Sequence, residues 1–302
     1  MISPYLWVPF TLLAATAQVL RNALQSGLVK EIGTLGATQV RFVYGLPFAV
    51  LLLLAYLKVS GEALPVATGG AVGWMLLGAA SQIGATALML EVMARRDFGV
   101  AYACIKTEPV TVALLGLVLI GDRLSPLGWF AVVVVTVGVV LASLRPGDGT
   151  QRLGEARPVL IGVASGALFG LSAIAFRAGI DGVPTGSFLV RSLVMLVVSL
   201  AMQSGMLLAW FAFRGAAPLA ASLRHWRTSL GAGALGALAS AGWFIAFSLT
   251  IAANVRTLGL IEMPIVALIA RRVSGKWLSP REAGGFALIT LGVALLLLAH
   301  GT

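Results

Sequence analysis

Charged side chains are scarce in this sequence: Asp, Glu, Lys and Arg together make up 11% of its 302 residues, while 59% are hydrophobic. Soluble domains carry about 25% charged residues, so the composition excludes an ordinary soluble globular protein. The apolar residues form continuous runs of roughly 17–25 residues, the length of helix that crosses a hydrocarbon core about 30 Å thick. Ten such runs lie at residues 4–25, 36–57, 70–93, 98–120, 127–143, 158–178, 184–212, 229–250, 255–271 and 280–299.

Residues that support catalysis or metal binding are equally scarce. The single cysteine, Cys104, excludes an intrachain disulfide and a metal site built from thiolates. The sequence contains neither a G-x-x-x-x-G-K-[ST] phosphate loop nor an H-E-x-x-H zinc motif. Its two histidines, His225 and His300, fall in a connection and at the C-terminus, too far from the middle of any run to serve a deep catalytic site. We therefore expect no enzymatic activity, no metal and no cofactor.

Basic residues outnumber acidic ones and give a formal net charge of +10, but their placement argues against a nucleic-acid partner. Thirteen of the 21 basic residues lie in the odd-numbered connections between runs, counted from the N-terminus, whereas the even-numbered ones hold Lys58, Arg123 and Arg256. This bias is the positive-inside signature of membrane insertion. It predicts that the odd-numbered connections are cytoplasmic and that both termini lie on the other side.

The sequence repeats itself at about half its length. With a shift of 154 residues, Glu108 falls on Glu262, and the Leu-Ser-Pro triplet at 124–126 falls on the same triplet at 278–280. A repeat of this period predicts two copies of one structural unit.

The repeat divides the chain into residues 1–147, a linker at 148–157, and residues 158–302, with five apolar runs in each half. Because five is odd, the second half must enter the membrane from the opposite side. We therefore predict an all-α membrane protein of ten transmembrane helices in two inverted repeats. Secondary transporters commonly have this architecture, with a substrate site near the bilayer midplane between the repeats.

The stretch from Glu108 to Pro126, E-P-V-T-V-A-L-L-G-L-V-L-I-G-D-R-L-S-P, resembles the EamA domain of the drug/metabolite transporter superfamily. In that domain a glutamate–proline pair opens an apolar helix, and a Gly-acid-Arg-Leu-Ser turn leads to the last helix of the unit. The second half repeats the pattern more loosely, with Glu262-Met-Pro264 and then Gly275-Lys-Trp-Leu-Ser-Pro280. Arg41 and Arg191, early in the second and seventh runs, also fit the family.

The resemblance implies a secondary carrier in a bacterial inner membrane, often an exporter of amino acids or related metabolites. It further implies a cavity lined by the first, third, fourth, sixth, eighth and ninth helices. Two features depart from the family. Lys276 and Trp277 replace the acid–Arg pair in the second turn, and many relatives keep both termini in the cytoplasm, against the charge bias here.

Ionisable residues inside the apolar runs cost at least about 2.5–3.5 kcal/mol each and need a partner or a purpose. Arg21, Glu91 and Arg177 lie near run ends, where long side chains can reach the interface. Glu108 and Glu262 lie deeper, and three roles stay open for them: structural ion pairs with Arg41 and Arg191, proton binding coupled to transport, or binding of a substrate ammonium. The eight residues are Arg21, Arg41, Glu91, Lys106, Glu108, Arg177, Arg191 and Glu262.

Lys106 lies two positions from Glu108, so the two side chains point to different sides of a helix, and Tyr102 shares the side of Lys106. Lys106 could bind a substrate carboxylate or phosphate, form an intraprotein ion pair, or extend towards the interface. The other candidates for the cavity wall are polar or aromatic side chains within or next to the runs: Gln18, Gln82, Ser240, Trp243 and Asn254.

These observations predict a secondary transporter, an exporter by family resemblance, that moves a small metabolite by alternating access. Five cations against three acids within the runs favour an anionic or zwitterionic solute such as an amino acid. The expected partners are that solute and membrane lipid. Two alternatives remain: a transporter or flippase of a lipid-like or drug-like amphiphile, and a non-transporting membrane scaffold or sensor.

Overall fold

A computed structural model of the chain describes residues 3–93, 105–143, 156–265, 267 and 279–301. Every regular element among them is helical, and seven stretches are long and apolar enough to cross a membrane. The ten-helix arrangement remains a prediction, because the first stretch is 54 residues long and part of the ninth run lies outside the described residues. The helices are α1 Trp7–Val43, α2 Gly45–Ser60, α3 Gly69–Met93, α4 Glu108–Ile120, α5 Pro126–Ser143, α6 Ala156–Asp181, α7 Phe188–Arg214, α8 Ala217–Arg224, α9 Trp226–Leu249, α10 Ala252–Gly259 and α11 Pro280–Gly301.

α1 is two antiparallel legs joined at Gly33. The backbone there has φ +74° and ψ 171°, a conformation that glycine adopts without a steric penalty. The amide of Gln25 donates a 2.8 Å hydrogen bond to the carbonyl of Ala37, although a straight helix would separate these residues by about 18 Å. The first two predicted runs are therefore the two sides of a hairpin.

The fourth and ninth predicted runs are broken where each was expected to be continuous. α4 begins at Glu108, after a turn at Thr107, and Pro109 occupies its first turn, where the missing N–H of proline does no harm. α10 ends at Gly259, and helix resumes at Glu262. Each repeat-related glutamate thus starts a helical segment in the interior of the protein.

A short helix that the sequence analysis did not predict, α8, follows α7. It is eight residues long and lies between Arg214 and Trp226. The basic residues Arg214 and Arg227 beside it stack on Trp210 and Trp226, at 5.2 and 5.4 Å from the ring centroids. Tryptophan and arginine together are typical of a membrane interface.

The long helices pack mainly in three pairs: α1 with α9, α3 with α6, and α5 with α11. Glycine permits the closest of these contacts. A Cβ on Gly138 of α5 would lie 2.7 Å from the carbonyl oxygen of Gly285 in α11, and one on Gly292 would lie 2.5 Å from Val135 Cγ2. Small residues let membrane helices approach backbone to backbone, which is how this pair is held.

At one end of the bundle, the connection between α2 and α3 caps the start of α7. Glu62 accepts hydrogen bonds from the backbone N–H of Ser187 at 2.9 Å, from its hydroxyl at 2.8 Å, and from the hydroxyl of Tyr56. Ser187 in turn accepts from the N–H of Val190 as the N-cap of α7. Glu62 and Ser187 come from opposite halves of the sequence, so the contact joins the halves at this end.

Gly285→Ala should lower the free energy of unfolding by about 1–3 kcal/mol through overpacking. Its Cβ would lie 2.6 Å from the carbonyl oxygen of Gly138 and from the nitrogen of Ala142. Gly284→Ala is the matched control, because the nearest atom to its Cβ is Leu141 Cδ2 at 3.7 Å. The measurement is the midpoint of thermal unfolding in detergent, and equal midpoints for the two variants would contradict the close contact.

Stability at low pH should depend on Glu62. The hydroxyl of Tyr56, followed by the N–H and hydroxyl of Ser187, lowers the pKa of this carboxyl below its usual value. The stabilisation that the Glu62 carboxylate provides is therefore complete above the ordinary pKa of glutamate, and it is lost as the pH falls through the lowered pKa. Glu62→Gln should show a smaller fall in melting temperature on acidification from pH 6 to pH 3 than the wild type. If the melting temperatures of the variant and the wild type fall equally, the Glu62 carboxylate does not contribute to stability at neutral pH.

Candidate functional site

A polar cavity lies deep among the helices and is partly open to the surroundings. Its wall comes from both legs of α1, from α3, from the residues at the start of α4, and from α6 and α10. Arg21 is near the middle of the first leg of α1, so the cavity lies at mid-depth in the bundle. The lining residues are Gln18, Arg21, Asn22, Arg41, Met89, Ile105, Lys106, Glu108, Phe169 and Arg256.

Two buried ion pairs at this cavity connect the halves of the chain. Lys106 pairs with Glu262, and Arg256 Nε lies 3.0 Å from Glu108 Oε1. The four side chains are between 7% and 13% exposed. We call them the crossed ion pairs, because the acid of each half meets a cation of the other half.

The helix breaks at Thr107 and Leu260 position these groups. Each glutamate lies at the start of a helical segment, where the helix dipole stabilises a negative charge. Lys106 and Arg256 precede the breaks of their own halves. Each half therefore presents one cation and then one acid along the chain, which allows reciprocal pairing.

Aromatic residues of α9 hold the guanidinium of Arg256. Its Cζ lies 4.6 Å from the ring centroid of Trp243 and 5.4 Å from that of Phe247. The indole N–H of Trp243 donates a 3.2 Å hydrogen bond to Gln18 Oε1. The two predicted residues Gln18 and Trp243 thus lie together, with Gln18 on the wall and Trp243 against Arg256.

The structure gives the two glutamates partners other than Arg41 and Arg191, which the sequence analysis had offered as one alternative. Arg41 donates to Thr86 Oγ1 at 3.1 Å, and Arg191 lies in the first turn of α7 beside Gly186. Sequence position favoured pairing within each half, whereas the breaks turn each glutamate towards the opposite half. For Lys106, the structure shows the ion-pair alternative.

The remaining predicted cavity residues are outside the described lining. Gln82 of α3 accepts a 2.8 Å hydrogen bond from Gln203 of α7. Asn254 donates to Thr250 Oγ1 at 3.1 Å. Ser240 is buried on α9, and Tyr102 falls outside the residues that the structure describes.

Arg256 is the main site residue that the sequence analysis missed, because it was assigned to an even-numbered connection. The shift of 154 that places Glu108 on Glu262 places Lys106 on Leu260, so the repeat did not point to Arg256. The aliphatic and aromatic lining, Met89, Ile105 and Phe169, carried no comparable signal, since apolar side chains are common throughout the runs.

Arg21 and Arg177, expected near the interface, are engaged inside the protein. Arg21 is 1% exposed and donates to Asn22 Oδ1 at 2.7 Å. Arg177 Nε lies 3.2 Å from Asp122, the acid of the Gly-Asp-Arg-Leu-Ser turn, and its Nη1 donates to the carbonyl of Phe247 at 2.8 Å. Burial raises the pKa of the Asp122 carboxyl, and Arg177 opposes the rise.

Comparison with known proteins agrees with this geometry. Residues 5–144 match the sequence profile of the EamA-like transporter family, which confirms the resemblance over the first half of the chain. The matched domain and the apolar helices together identify a multi-pass membrane protein. A comparison with curated proteins finds no significant match.

The fold itself is found among solved structures, of which 27 chains match. One crystal structure of a protein superposes with a TM-score of 0.67 over 98% of this chain and 97% of its own length. The two sequences are 19% identical, so this similarity establishes the fold alone.

The Lys106–Glu262 pair should behave as a coupled unit. Lys106→Met or Glu262→Met alone removes one partner of a buried ion pair, which costs about 3–5 kcal/mol. The double variant leaves neither charge and should be less destabilised than the sum of the single variants. Equilibrium unfolding in mixed detergent, analysed as a double-mutant cycle, measures the coupling. Additive effects would show that the two side chains do not interact.

Proposed function

From the premise that residues 5–144 are an EamA-like transporter domain, we propose that the whole chain is a secondary transporter of a small metabolite. The observation that carries the proposal is the charged cavity at mid-depth, bridged by ion pairs between the two halves. A polar cavity in an apolar helical bundle is costly unless a solute uses it. The protein would work as a carrier by alternating access.

The helix pairs support ten transmembrane helices in two inverted repeats. If the second half repeats the first, the first helix corresponds to the sixth and the third to the eighth. The pair α1–α9 then corresponds to the pair α6–α3, and both are major contacts of the structure. α5 and α11, the last helices of the two halves, pack on each other, and their glycines Gly138 and Gly292 are separated by the repeat shift of 154.

Contacts between the halves close one end of the bundle. The end with the even-numbered connections is closed by Glu62 with Ser187 and by Arg177 with Asp122. Met89 on the cavity wall lies near the end of α3 that leads to an odd-numbered connection. With the basic odd-numbered connections in the cytoplasm, this closed end and both termini would be outside.

Alternating access would require the crossed ion pairs to exchange. Moving the halves apart on one side separates Glu108 from Arg256 or Glu262 from Lys106, and a solute or a proton would compensate the exposed charge. The family resemblance favours export across a bacterial inner membrane. An amphiphile would need a mainly apolar cavity, and four cationic side chains on the described wall disfavour that substrate.

Transport can be tested in proteoliposomes with radiolabelled dicarboxylates, amino acids, sugars and polyamines, with and without an imposed pH gradient. We expect saturable flux that Glu108→Gln abolishes, because the variant removes the counter-charge of Arg256 and any proton carried there. Glu31→Gln is the matched control, because the Glu31 side chain is 59% exposed and is not among the residues that line the cavity. Stimulation of flux by the pH gradient in the wild type would identify proton coupling.

Absence of saturable flux for every solute class, from protein that is monodisperse and helical, would contradict the proposal. A non-transporting scaffold would then be the better explanation. Such a scaffold should also tolerate Glu108→Gln with no loss of its function in cells.

A further inference from the structure

The charges around the cavity do not balance. The described wall carries four cations, Arg21, Arg41, Lys106 and Arg256, and one acid, Glu108. Glu262, the partner of Lys106, supplies a second acid. The crossed ion pairs match Lys106 and Arg256 with the two acids, so the six groups carry an excess of two positive charges, although Glu262 also attracts Arg21 and Glu108 also attracts Arg41.

Both arginines also keep unused hydrogen-bond donors. Arg21 is 1% exposed and Arg41 is 2% exposed. Arg21 Nη1 and Arg41 Nε have no acceptor among the described residues. Buried donors are nearly always satisfied in native proteins, and donors that are not usually mark a place for water, an ion or a ligand.

Gly236 of α9 brings the two side chains together. A Cβ at this position would lie 3.4 Å from Arg21 Cδ and 3.4 Å from Arg41 Cγ, so both stems pack over the same glycine. Two guanidinium groups in a low-dielectric site repel each other, and an anion between them removes the repulsion. The planar fork of arginine suits carboxylate and phosphate oxygens in particular.

We propose, on the basis of the transport function proposed above, that the substrate is a small organic dianion held between Arg21 and Arg41. A dicarboxylate and a phosphate monoester share the required chemistry, with two negative charges on oxygen atoms. A zwitterionic amino acid fits less well, because its ammonium group would add a positive charge beside a wall that already carries four cations and one acid.

The first test is binding to the purified full chain in detergent, followed by isothermal calorimetry and by the melting temperature. Succinate and glycerol 3-phosphate are the two dianion probes, and their comparison distinguishes carboxylate from phosphate. Succinamide is the uncharged match for succinate, and L-alanine and putrescine represent zwitterions and cations. At least one dianion should bind saturably, about tenfold or more tightly than succinamide, and should raise the melting temperature.

Variants then locate the site. Arg21→Gln and Arg41→Gln should each weaken binding of the dianion about tenfold to a hundredfold, the effect of losing a charge-assisted hydrogen bond. Arg214→Gln, at the surface in the last turn of α7, should leave it unchanged. If a glutamine variant does not fold, Arg21→Lys keeps the charge but removes the fork. It should weaken dianion binding while the melting temperature without ligand stays near that of the wild type.

The outcomes separate this inference from the transport proposal. Saturable binding and flux of alanine or putrescine, with no preference for either dianion, would overturn the dianion assignment and leave transport intact. Dianion binding that persists in Arg21→Gln and Arg41→Gln would place the anion elsewhere and would also overturn it. No binding and no flux of any probe by folded protein would remove both proposals.

Discussion

The burial of charge at mid-depth in an apolar bundle is the constraint on which the rest of this structure depends. A cation or a carboxylate in a membrane helix is tolerated when it meets a counter-charge or a polar wall. The crossed ion pairs meet this condition for Lys106 with Glu262 and for Arg256 with Glu108. The helix breaks at Thr107 and Leu260 bring each glutamate to a helix start, and Trp243 covers the guanidinium that faces Glu108. The local irregularities of the fold are thus concentrated where the charges must meet.

Close packing, rather than ion pairing, holds the surrounding helices together. Hydrogen bonds and ion pairs between α5 and α11 are few among the described residues. The contact relies on glycine at positions 138, 285 and 292. At the end with the even-numbered connections, Glu62 and Asp122 make polar contacts between the halves. The helices are therefore packed tightly between α5 and α11 and at this end of the bundle.

Much of this could be predicted from the sequence, because hydrophobic run length and the cost of buried charge are properties of single segments. The apolar runs anticipated most helices, and the burial of Glu108, Glu262 and Lys106 followed from their depth within the runs. The partners could not be derived, since they depend on how two halves face each other. Arg256 was assigned to a connection because hydropathy falls around Asn254 and Arg256, although both residues lie within α10. The hairpin at Gly33 shows the same limit, because a glycine in an apolar run does not reveal whether the chain bends there.

The reciprocal pairing also sets an order of events during biogenesis. A ribosome releases residues 106–108 well before residues 256–262, so Lys106 and Glu108 enter the bilayer before Glu262 and Arg256 have been synthesised. For that interval each early charge lacks the counter-ion that it has in the finished protein. The first half thus brings buried charges into the membrane whose partners come with the second half.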